Sequence, residues 1–168
     1  MNKLEVFFDY TCPYCLYGHN YLLGLLPEFP YAETVWRPCE AHPRPETYGP
    51  HSDIMIRGMF IVKELGADIM EYHRLMYDAA HKDRIDVESI EAVSDYVKNF
   101  TDAGKFRAAL ASGAYVKELD EANDYAYEKS GVWVIPAYRM NGKKLDSKGG
   151  VGVTKEELKK FLSEAVSR

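Results

Sequence analysis

Two of the three cysteines in this 168-residue chain lie close together, in the segment Cys12-Pro13-Tyr14-Cys15. An apolar run at residues 4–8 precedes the segment and a leucine-rich run follows it, so we predict that the thiols lie where a strand ends and a helix begins. Backbone N–H groups at a helix N-terminus lack partners within the helix, and the helix dipole favours negative charge there. A cysteine in this position ionises readily, and the thiolate is its reactive form. The sequence therefore predicts thiol–disulfide chemistry.

The two cysteines have different predicted roles. We expect Cys12 to be the N-cap of the helix, where hydrogen bonds from backbone N–H groups lower its pKa and make it the candidate nucleophile. Cys15, one turn into the helix, is expected to be buried and protonated until a mixed disulfide forms. It then attacks Cys12 and releases the substrate. Pro13 suits the first helical position, because the N–H that proline lacks would have no partner there.

Residues on either side of the cysteines are further candidates. Asp9 either tunes the Cys12 thiol or hydrogen-bonds the turn at the end of the strand, and the sequence leaves both roles open. Tyr14 is expected to lie exposed beside the thiols and to contact substrate. Tyr10 and Tyr17 are expected to pack within the protein.

A metal site is an alternative use of the thiols. Cys12, Cys15 and His19 have ligand-like spacing, and Cys39 is the fourth candidate ligand. A helix that begins at Pro13 points His19 away from a centre shared with Cys12, and the sequence has no second paired motif, so we expect no metal. Cys39 is expected to be a buried apolar thiol, with a regulatory disulfide as the alternative. The remaining histidines share no spacing and are expected to be solvated or locally bonded: His42, His51, His73 and His81.

Composition and charge exclude several classes of function. The formal net charge is −5 and no basic block occurs, which argues against binding to nucleic acid or to an anionic membrane. No apolar stretch is long enough to span a bilayer, and nothing after Met1 resembles a signal peptide. We therefore expect a cytoplasmic protein. Thiols are kept reduced in the cytoplasm, so a catalytic, redox-sensing or metal-binding pair is favoured over a structural disulfide.

The first 51 residues predict the elements that hold the thiols in place. A strand at residues 4–8, a helix from Pro13 to about residue 26 and a strand at residues 34–37 form one βαβ unit. Prolines and glycines at residues 38–51 predict a loop. Five helices are then predicted from capping residues and apolar spacing, and they begin near Ser52, Asp68, Asp86, Thr101 or Asp102, and Tyr115.

After these helices the chain returns to a β pattern. Residues 132–135 and 137–140 predict extended segments on either side of Pro136. Asn141-Gly142 predicts a hairpin turn, with residues 144–146 as the partner strand. A capping box that starts at Thr154 predicts the last helix.

The order is thus β-α-β, a helical insertion, and β-β-α, which is the order of the thioredoxin fold interrupted once. We predict an α/β protein whose thioredoxin-like domain consists of residues 1–50 and 131–168. An all-helical subdomain, residues 51–130, is inserted before the strand that carries Pro136. With its CxxC motif and the segment Gly131–Pro136, the chain resembles the DsbA-like thioredoxin superfamily. Within it, the chain is most similar to the FrnE-type proteins, which share a scaffold with 2-hydroxychromene-2-carboxylate isomerases.

The resemblance implies a substrate site. It implies that Pro136 is in the cis form and faces the thiols, and that the backbone of Ile135 pairs with an extended substrate peptide as an added strand. Pro13, Tyr14, Ile135 and Pro136 are thus the expected substrate-contacting residues. The turn at residues 149–152 is expected to be a flexible connection, and the resemblance implies that it borders the substrate groove.

The sequence differs from its apparent relatives at three positions. Tyr14 stands where DsbA has histidine, which argues against a strong oxidant. Val134 stands where FrnE-type proteins often have glycine, and its larger side chain is expected to narrow the implied groove. Cys12 stands where the isomerases usually have serine, so the thiol argues against isomerase activity.

The predicted function is that of a DsbA-like protein-disulfide oxidoreductase. It would act on protein thiols and disulfides or on glutathione, need no bound cofactor, and form a monomer or a weak homodimer. Two other functions stay open: a glutathione-dependent isomerase or transferase, and a non-catalytic metal-binding or redox-sensing module. The same residues serve a reductase, an oxidase or an isomerase, so they do not distinguish the direction of electron flow or the natural substrate.

Overall fold

The computed structural model describes residues 1–166, which form four strands and seven α-helices. The thioredoxin-like part consists of strands β1 (Asn2–Phe8), β2 (Ala32–Pro38), β3 (Ala137–Met140) and β4 (Lys143–Asp146) with helices α1 (Pro13–Leu25) and α7 (Lys155–Glu164). Between β2 and β3 lie α2 (Asp53–Glu64), α3 (Ile69–His81), α4 (Ile90–Tyr96), α5 (Ala103–Ala111) and α6 (Val116–Asp124), and α6 continues as a π-helical turn over Tyr125–Lys129. No helix within residues 1–166 is long and apolar enough to cross a membrane.

The predicted α/β order with an inserted helical region is confirmed. The four strands form one sheet in the order β2-β1-β3-β4. β1 runs parallel to β2 and antiparallel to β3, and β4 is antiparallel to β3. β1 therefore has a neighbouring strand on each side, and its residues Leu4 and Phe7 are fully buried. Parallel strands end at the same edge of a sheet, so the loop after β1, which carries the thiols, lies beside the loop after β2.

Successive side chains of β1 point to opposite faces of the sheet, so the strand contributes to a hydrophobic cluster on each face. Leu4 and Val6 belong to the cluster that packs against α1 and α7. Phe7 belongs to the cluster formed with the inserted helices. There its ring stacks on that of Tyr125, with 6.0 Å between the centroids. The insertion therefore supplies the layer that covers the second face of the sheet.

Local capping signals locate most of the helix starts. Three of the predicted N-cap side chains accept a hydrogen bond from a backbone N–H in the first turn of their helix, and these are Asp68, Asp102 and Thr154. The predicted start at Asp86 is wrong. α4 begins at Ile90 and is capped by Ser89, whereas Asp86 accepts a hydrogen bond from the N–H of Glu88 in the preceding turn.

The predicted strand at residues 132–135 is also wrong. β3 begins only at Ala137, which pairs with Phe7. Earlier residues would need partners beyond Phe8, where the chain has already turned into the loop that carries the thiols, so no ladder forms. Trp133 lies in this unpaired segment and is 88% exposed.

The hairpin turn between β3 and β4 is confirmed at Asn141 and Gly142. Both residues have positive φ, 51° and 76° respectively. A type I′ turn requires this conformation at both central positions, and asparagine and glycine adopt it most readily. The turn sets the pairing of Met140 with Lys143 and so fixes β4 at one edge of the sheet.

Candidate active site

Cys12 is the residue from which α1 begins. Its backbone is extended, with φ −85° and ψ 118°, and Pro13 is the first helical residue. The carbonyl of Cys12 accepts hydrogen bonds from the N–H groups of Cys15 (3.1 Å) and Leu16 (3.2 Å). Cys12 is therefore the N-cap of α1, as predicted. Its side chain is partly exposed and that of Cys15 is buried, and both thiols are free.

The pKa values of the two thiols shift in opposite directions. Hydrogen bonding with the Cys15 thiol lowers the pKa of Cys12 most. The N–H groups of Cys15 and Tyr14 lower it further, although neither reaches full capping geometry. Partial burial and the charge of Asp9 oppose the shift without cancelling it. Burial raises the pKa of Cys15 well above its ordinary value, and the hydrogen bond with Cys12 adds to this rise. The accessible sulfur is thus the one that ionises first.

The carboxylate of Asp9 is buried and accepts four hydrogen bonds. Its Oδ1 accepts from the N–H and the hydroxyl of Thr11, both at 2.8 Å. Its Oδ2 accepts from the N–H of Ala41 and the hydroxyl of Ser52, both at 2.7 Å. These bonds join the thiol loop, the loop after β2 and the start of α2. They support the strand-end role that the sequence left open, while the charge of Asp9 also raises the pKa of Cys12.

Ser52 lies at the predicted N-cap position of α2, but the predicted capping hydrogen bond of its side chain is absent. Its hydroxyl donates to Asp9 instead. A hydrogen bond to a charged carboxylate is stronger than one between neutral groups, so the long-range hydrogen bond takes precedence.

Pro136 packs directly on α1, one turn beyond Cys15. A Cβ atom on Gly18 would lie 3.1 Å from Cγ of Pro136 and 2.7 Å from the hydroxyl oxygen of Tyr138. Only glycine leaves room for this approach. The peptide bond between Ile135 and Pro136 is cis, in the form that the family resemblance implied.

The backbone of Ile135 is unpaired in the described part of the chain. Within residues 1–166, its N–H and C=O make no hydrogen bond to the protein. Phe7 pairs with Ala137 on the side of β1 that faces β3, so the next hydrogen-bonded pair of this ladder would join Asp9 with Ile135. That pair does not form, because Asp9 belongs to the turn and its N–H is directed at the Cys15 sulfur. The side chain of Ile135 is 8% exposed, so the segment is anchored while its backbone remains unpaired.

Tyr14 is held by the loop before α7 and is not freely exposed. Its hydroxyl donates a hydrogen bond of 2.9 Å to the carbonyl of Gly150, and its ring lies against Gly152, where a Cβ would be 3.1 Å from Cδ1. Glycine fits here also because φ is +79°. The predicted packing of Tyr17 is wrong, because its side chain points outward on α1 and is 52% exposed.

Two histidines, His19 and His73, lie in a buried aromatic cluster that the sequence did not predict. The His73 ring is 4.7 Å from that of Trp36 and 5.7 Å from that of His19, between centroids. Tyr10, which packs in the core as predicted, has its hydroxyl 2.7 Å from Nδ1 of His73. Burial lowers the pKa of His19 to about 4 and that of His73 to about 3. The expectation that His73 is solvated or only locally bonded is therefore wrong, and no local pattern could have revealed its distant partner.

No three His, Cys, Asp or Glu side chains in the described part of the chain are arranged to hold a metal ion. Cys39 is fully buried, and burial raises its pKa to about 12 although a hydrogen bond with Tyr127 opposes the shift. Its N–H donates to the carbonyl of Phe8 at 2.9 Å. Cys39 is thus the buried apolar thiol that the sequence favoured.

Comparison with known proteins adds evidence from folds. No family model matches the sequence, and no curated protein matches it either. The probable DsbA oxidoreductase SCO1869 from Streptomyces coelicolor superposes with a TM-score of 0.81 at 17% identity, covering 98% of this chain and 90% of that protein. Pseudomonas aeruginosa DsbA superposes with a TM-score of 0.68 at 22% identity, covering 96% of this chain and 80% of that protein. A thioredoxin-like oxidoreductase from Silicibacter pomeroyi DSS-3 superposes with a TM-score of 0.71 at 18% identity, covering 98% of this chain and 86% of that protein.

At these identities the likeness concerns the fold. It extends over nearly the whole chain, including the helices between β2 and β3. The strand order, the position of the insertion and these superpositions together show that the chain has the fold of the DsbA-like oxidoreductases, a thioredoxin fold with a helical insertion.

Proposed function

We propose that this protein is a thiol–disulfide oxidoreductase that acts on protein substrates, with glutathione as an alternative small thiol substrate. The observation that carries the proposal is that two sulfurs one helical turn apart differ in accessibility and in the direction of their pKa shifts. Cys12 is accessible and its pKa is lowered, whereas Cys15 is buried and its pKa is raised. A dithiol that catalyses thiol–disulfide exchange uses an accessible thiolate for the first attack and a second thiol to resolve the mixed disulfide.

In the reductive direction, the Cys12 thiolate attacks one sulfur of a substrate disulfide. A bond forms between Cys12 and that sulfur, the substrate S–S bond breaks, and the other substrate sulfur leaves as a thiolate that takes up a proton. Cys15 then loses its proton and attacks the Sγ of Cys12, which releases the second substrate sulfur. The substrate gains two electrons, and the protein is left with a Cys12–Cys15 disulfide. The reverse sequence oxidises a substrate dithiol.

The segment before β3 supports an extended peptide as the substrate. The free N–H and C=O of Ile135 can pair with a peptide backbone as an added strand, and Pro136 lies against the helix that carries the thiols. Trp133, which is 88% exposed three residues before Pro136, offers a large apolar surface to side chains of the same peptide. The exchange itself needs only sulfur atoms and no bound cofactor.

Variants in which one cysteine at a time is replaced by serine test the proposal. We expect Cys12→Ser to abolish reduction of insulin disulfides, because no accessible thiolate remains. Cys15→Ser should stop after the first step and remain joined to substrate through Cys12. Cys39→Ser is the matched control, and it should keep wild-type activity because Cys39 is buried and takes no part. Full activity in Cys12→Ser would overturn the assignment, since turnover would not depend on the proposed nucleophile.

A further inference from the structure

The outer strand β2 has a free side, and two hydrogen bonds show which residues face it. The N–H of Asn2 donates to the carbonyl of Tyr31, and the N–H of Cys39 donates to the carbonyl of Phe8, both at 2.9 Å. In a parallel pair, every second residue of a strand bonds to the neighbouring strand. The odd-numbered residues from 31 to 39 therefore bond to β1, and the even-numbered ones are directed away from it.

Thr34 and Trp36 consequently direct their N–H and C=O groups outward. Within residues 1–166, no strand and no other group forms a hydrogen bond with these four backbone groups. Pro38 follows at the end of β2 and has no N–H, so the free donors end before it. A row of unpaired backbone donors and acceptors at a sheet edge is a template for another strand.

A groove of about 890 Å³ runs along this free edge. Residues 34–38 line it on one side, and α2, the start of α3 and α6 line the remainder. Its apolar surface includes Met59, Phe60 and Ile69. The volume is at the upper end of the range of roughly 300–1,000 Å³ found for ligand pockets. Because helices line the groove beyond β2, it fits a single strand better than the sheet of a second copy.

One cation of the groove is available to an acidic side chain of an occupant. Arg37, Lys63 and Lys129 line the groove together with Glu118 and Glu121, and Glu121 is paired with Lys117 outside the groove at 3.6 Å. Arg37 and Lys129 are each paired with a carboxylate outside the groove, at 2.7 and 3.3 Å. Lys63 is exposed, and no carboxylate of residues 1–166 lies within 4.0 Å of its ammonium group. Its charge is therefore available to a partner.

We propose that this groove binds an extended peptide segment of a partner protein, which adds to β2 as a fifth strand and places an acidic side chain on Lys63. Backbone hydrogen bonds to Thr34 and Trp36 hold the strand, and its alternate side chains contact the apolar wall. Neither thiol of the CxxC motif nor Pro136 lines the groove. The site is therefore separate from the proposed redox site and does not depend on it.

A cysteine-free synthetic peptide tests the proposal. The probe is a fluorescein-labelled peptide of about nine residues in which valine alternates with polar residues and glutamate is central. Its affinity for the full chain is measured by fluorescence anisotropy. We expect Lys63→Glu to weaken binding by about tenfold or more. Lys105→Glu, the same charge change on an exposed lysine of α5 outside the groove, should alter it by less than about twofold.

Two N-methylated peptides test the backbone hydrogen bonds. One is methylated on the odd and one on the even residues. Only one of these sets faces β2, so one peptide should lose binding and the other should keep it. Equal binding of both, or unchanged binding in Lys63→Glu, would overturn the proposal.

Amide hydrogen exchange locates the bound peptide. We expect it to slow exchange at Thr34 and Trp36 by about tenfold or more, with little effect at Val35 and Arg37, which already bond to β1. Protection at Ile135 would place the peptide at the redox site, and protection that grows with protein concentration without peptide would identify a second copy as the occupant. Either result, or no protection at all, contradicts the proposal and leaves the assignment of the thiols unaffected.

Discussion

The hydroxyl of Ser52 lies 2.7 Å from Oδ2 of Asp9 and donates a hydrogen bond to it. This bond joins the N-cap residue of α2, the first inserted helix, to the strand end that precedes Cys12. The same carboxylate holds Thr11 and the N–H of Ala41. The loop of the nucleophile is therefore fixed by a buried anion whose charge works against the thiolate that it positions.

Replacement of Asp9 by asparagine should separate these two effects. The amide has one acceptor oxygen where the carboxylate has two, so two of the four donors lose their acceptor. We expect the free energy of unfolding to fall by about 2–4 kcal/mol. The pKa of Cys12 should fall further, because the negative charge that raises it is gone. Urea denaturation and the ultraviolet absorbance of the thiolate measure the two changes. Ser52→Ala is the control, since it removes one donor and keeps the charge, and a rise in the Cys12 pKa of Asp9→Asn would contradict the argument.

The lowered pKa of Cys12 should depend mainly on the thiol of Cys15. The rate of alkylation follows the thiolate fraction, so its midpoint should lie below the ordinary value of about 8.5. Hydrogen bonding with Cys15 is the largest cause of the lowered pKa, so Cys15→Ala should move the midpoint upward. Cys39→Ala should leave it in place. Identical midpoints in wild type and Cys15→Ala would show that the helix N-terminus alone stabilises the thiolate.

The buried histidines should make the protein less stable in mild acid. Burial lowers the pKa of His19 to about 4 and that of His73 to about 3, whereas unfolded histidine titrates near about 6.5. Below that pH the unfolded chain binds protons that the folded chain does not. The stabilisation is thus complete above about pH 6.5 and decreases as the pH falls toward the folded values, by up to about 1.4 kcal/mol per pH unit and histidine.

Urea denaturation at a series of pH values between about 7.5 and 5.5 checks this dependence, because most carboxylates remain ionised in that range. His19→Leu should reduce the slope of unfolding free energy against pH, since one proton-binding group is removed. His42→Asn is the control, because His42 is partly exposed beside Glu46. A wild-type stability that stays constant over this range would refute the prediction.

Two glycines of α1 offer a matched pair of substitutions. An added Cβ at Gly18 would meet Pro136 and Tyr138 at 3.1 and 2.7 Å, whereas at Gly24 it would meet nothing within 4 Å. We expect Gly18→Ala to destabilise the fold by about 1–3 kcal/mol and to slow disulfide exchange by displacing Pro136. Gly24→Ala should stabilise it by roughly 0.5–1 kcal/mol, because alanine favours the helix. Thermal unfolding and insulin reduction measure both variants, and equal stability of the two would contradict the packing that we describe.

Features determined by near neighbours in the chain were predicted correctly. Pro13 begins α1, Asp102 caps α5, and Asn141 with Gly142 forms the hairpin turn. In each case the physical requirement, a missing donor, a side-chain acceptor or a positive φ, is met within a few residues. The position of Cys12 follows from the same kind of signal, because a strand pattern and a helix pattern meet there.

Features determined by distant partners could not be read from local pattern. Ser52 bonds to a carboxylate 43 residues earlier, and His73 is buried because Tyr10 and Trp36 lie beside it. The segment at residues 132–135 has a strand-like composition but no partner strand. The groove at β2 combines residues from four elements, so no single stretch of sequence marks it.

The central place of β1 in the sheet has a consequence for synthesis. One neighbour of β1 is β3, which begins at Ala137, about 120 residues after Cys15 and therefore roughly ten seconds later on a ribosome that adds 5–20 residues per second. During that interval the four-stranded sheet cannot be completed, and the packing that buries Cys15 and Cys39 in the finished protein is not fully assembled. We therefore expect these thiols to be more accessible to non-native disulfide formation during synthesis than after it.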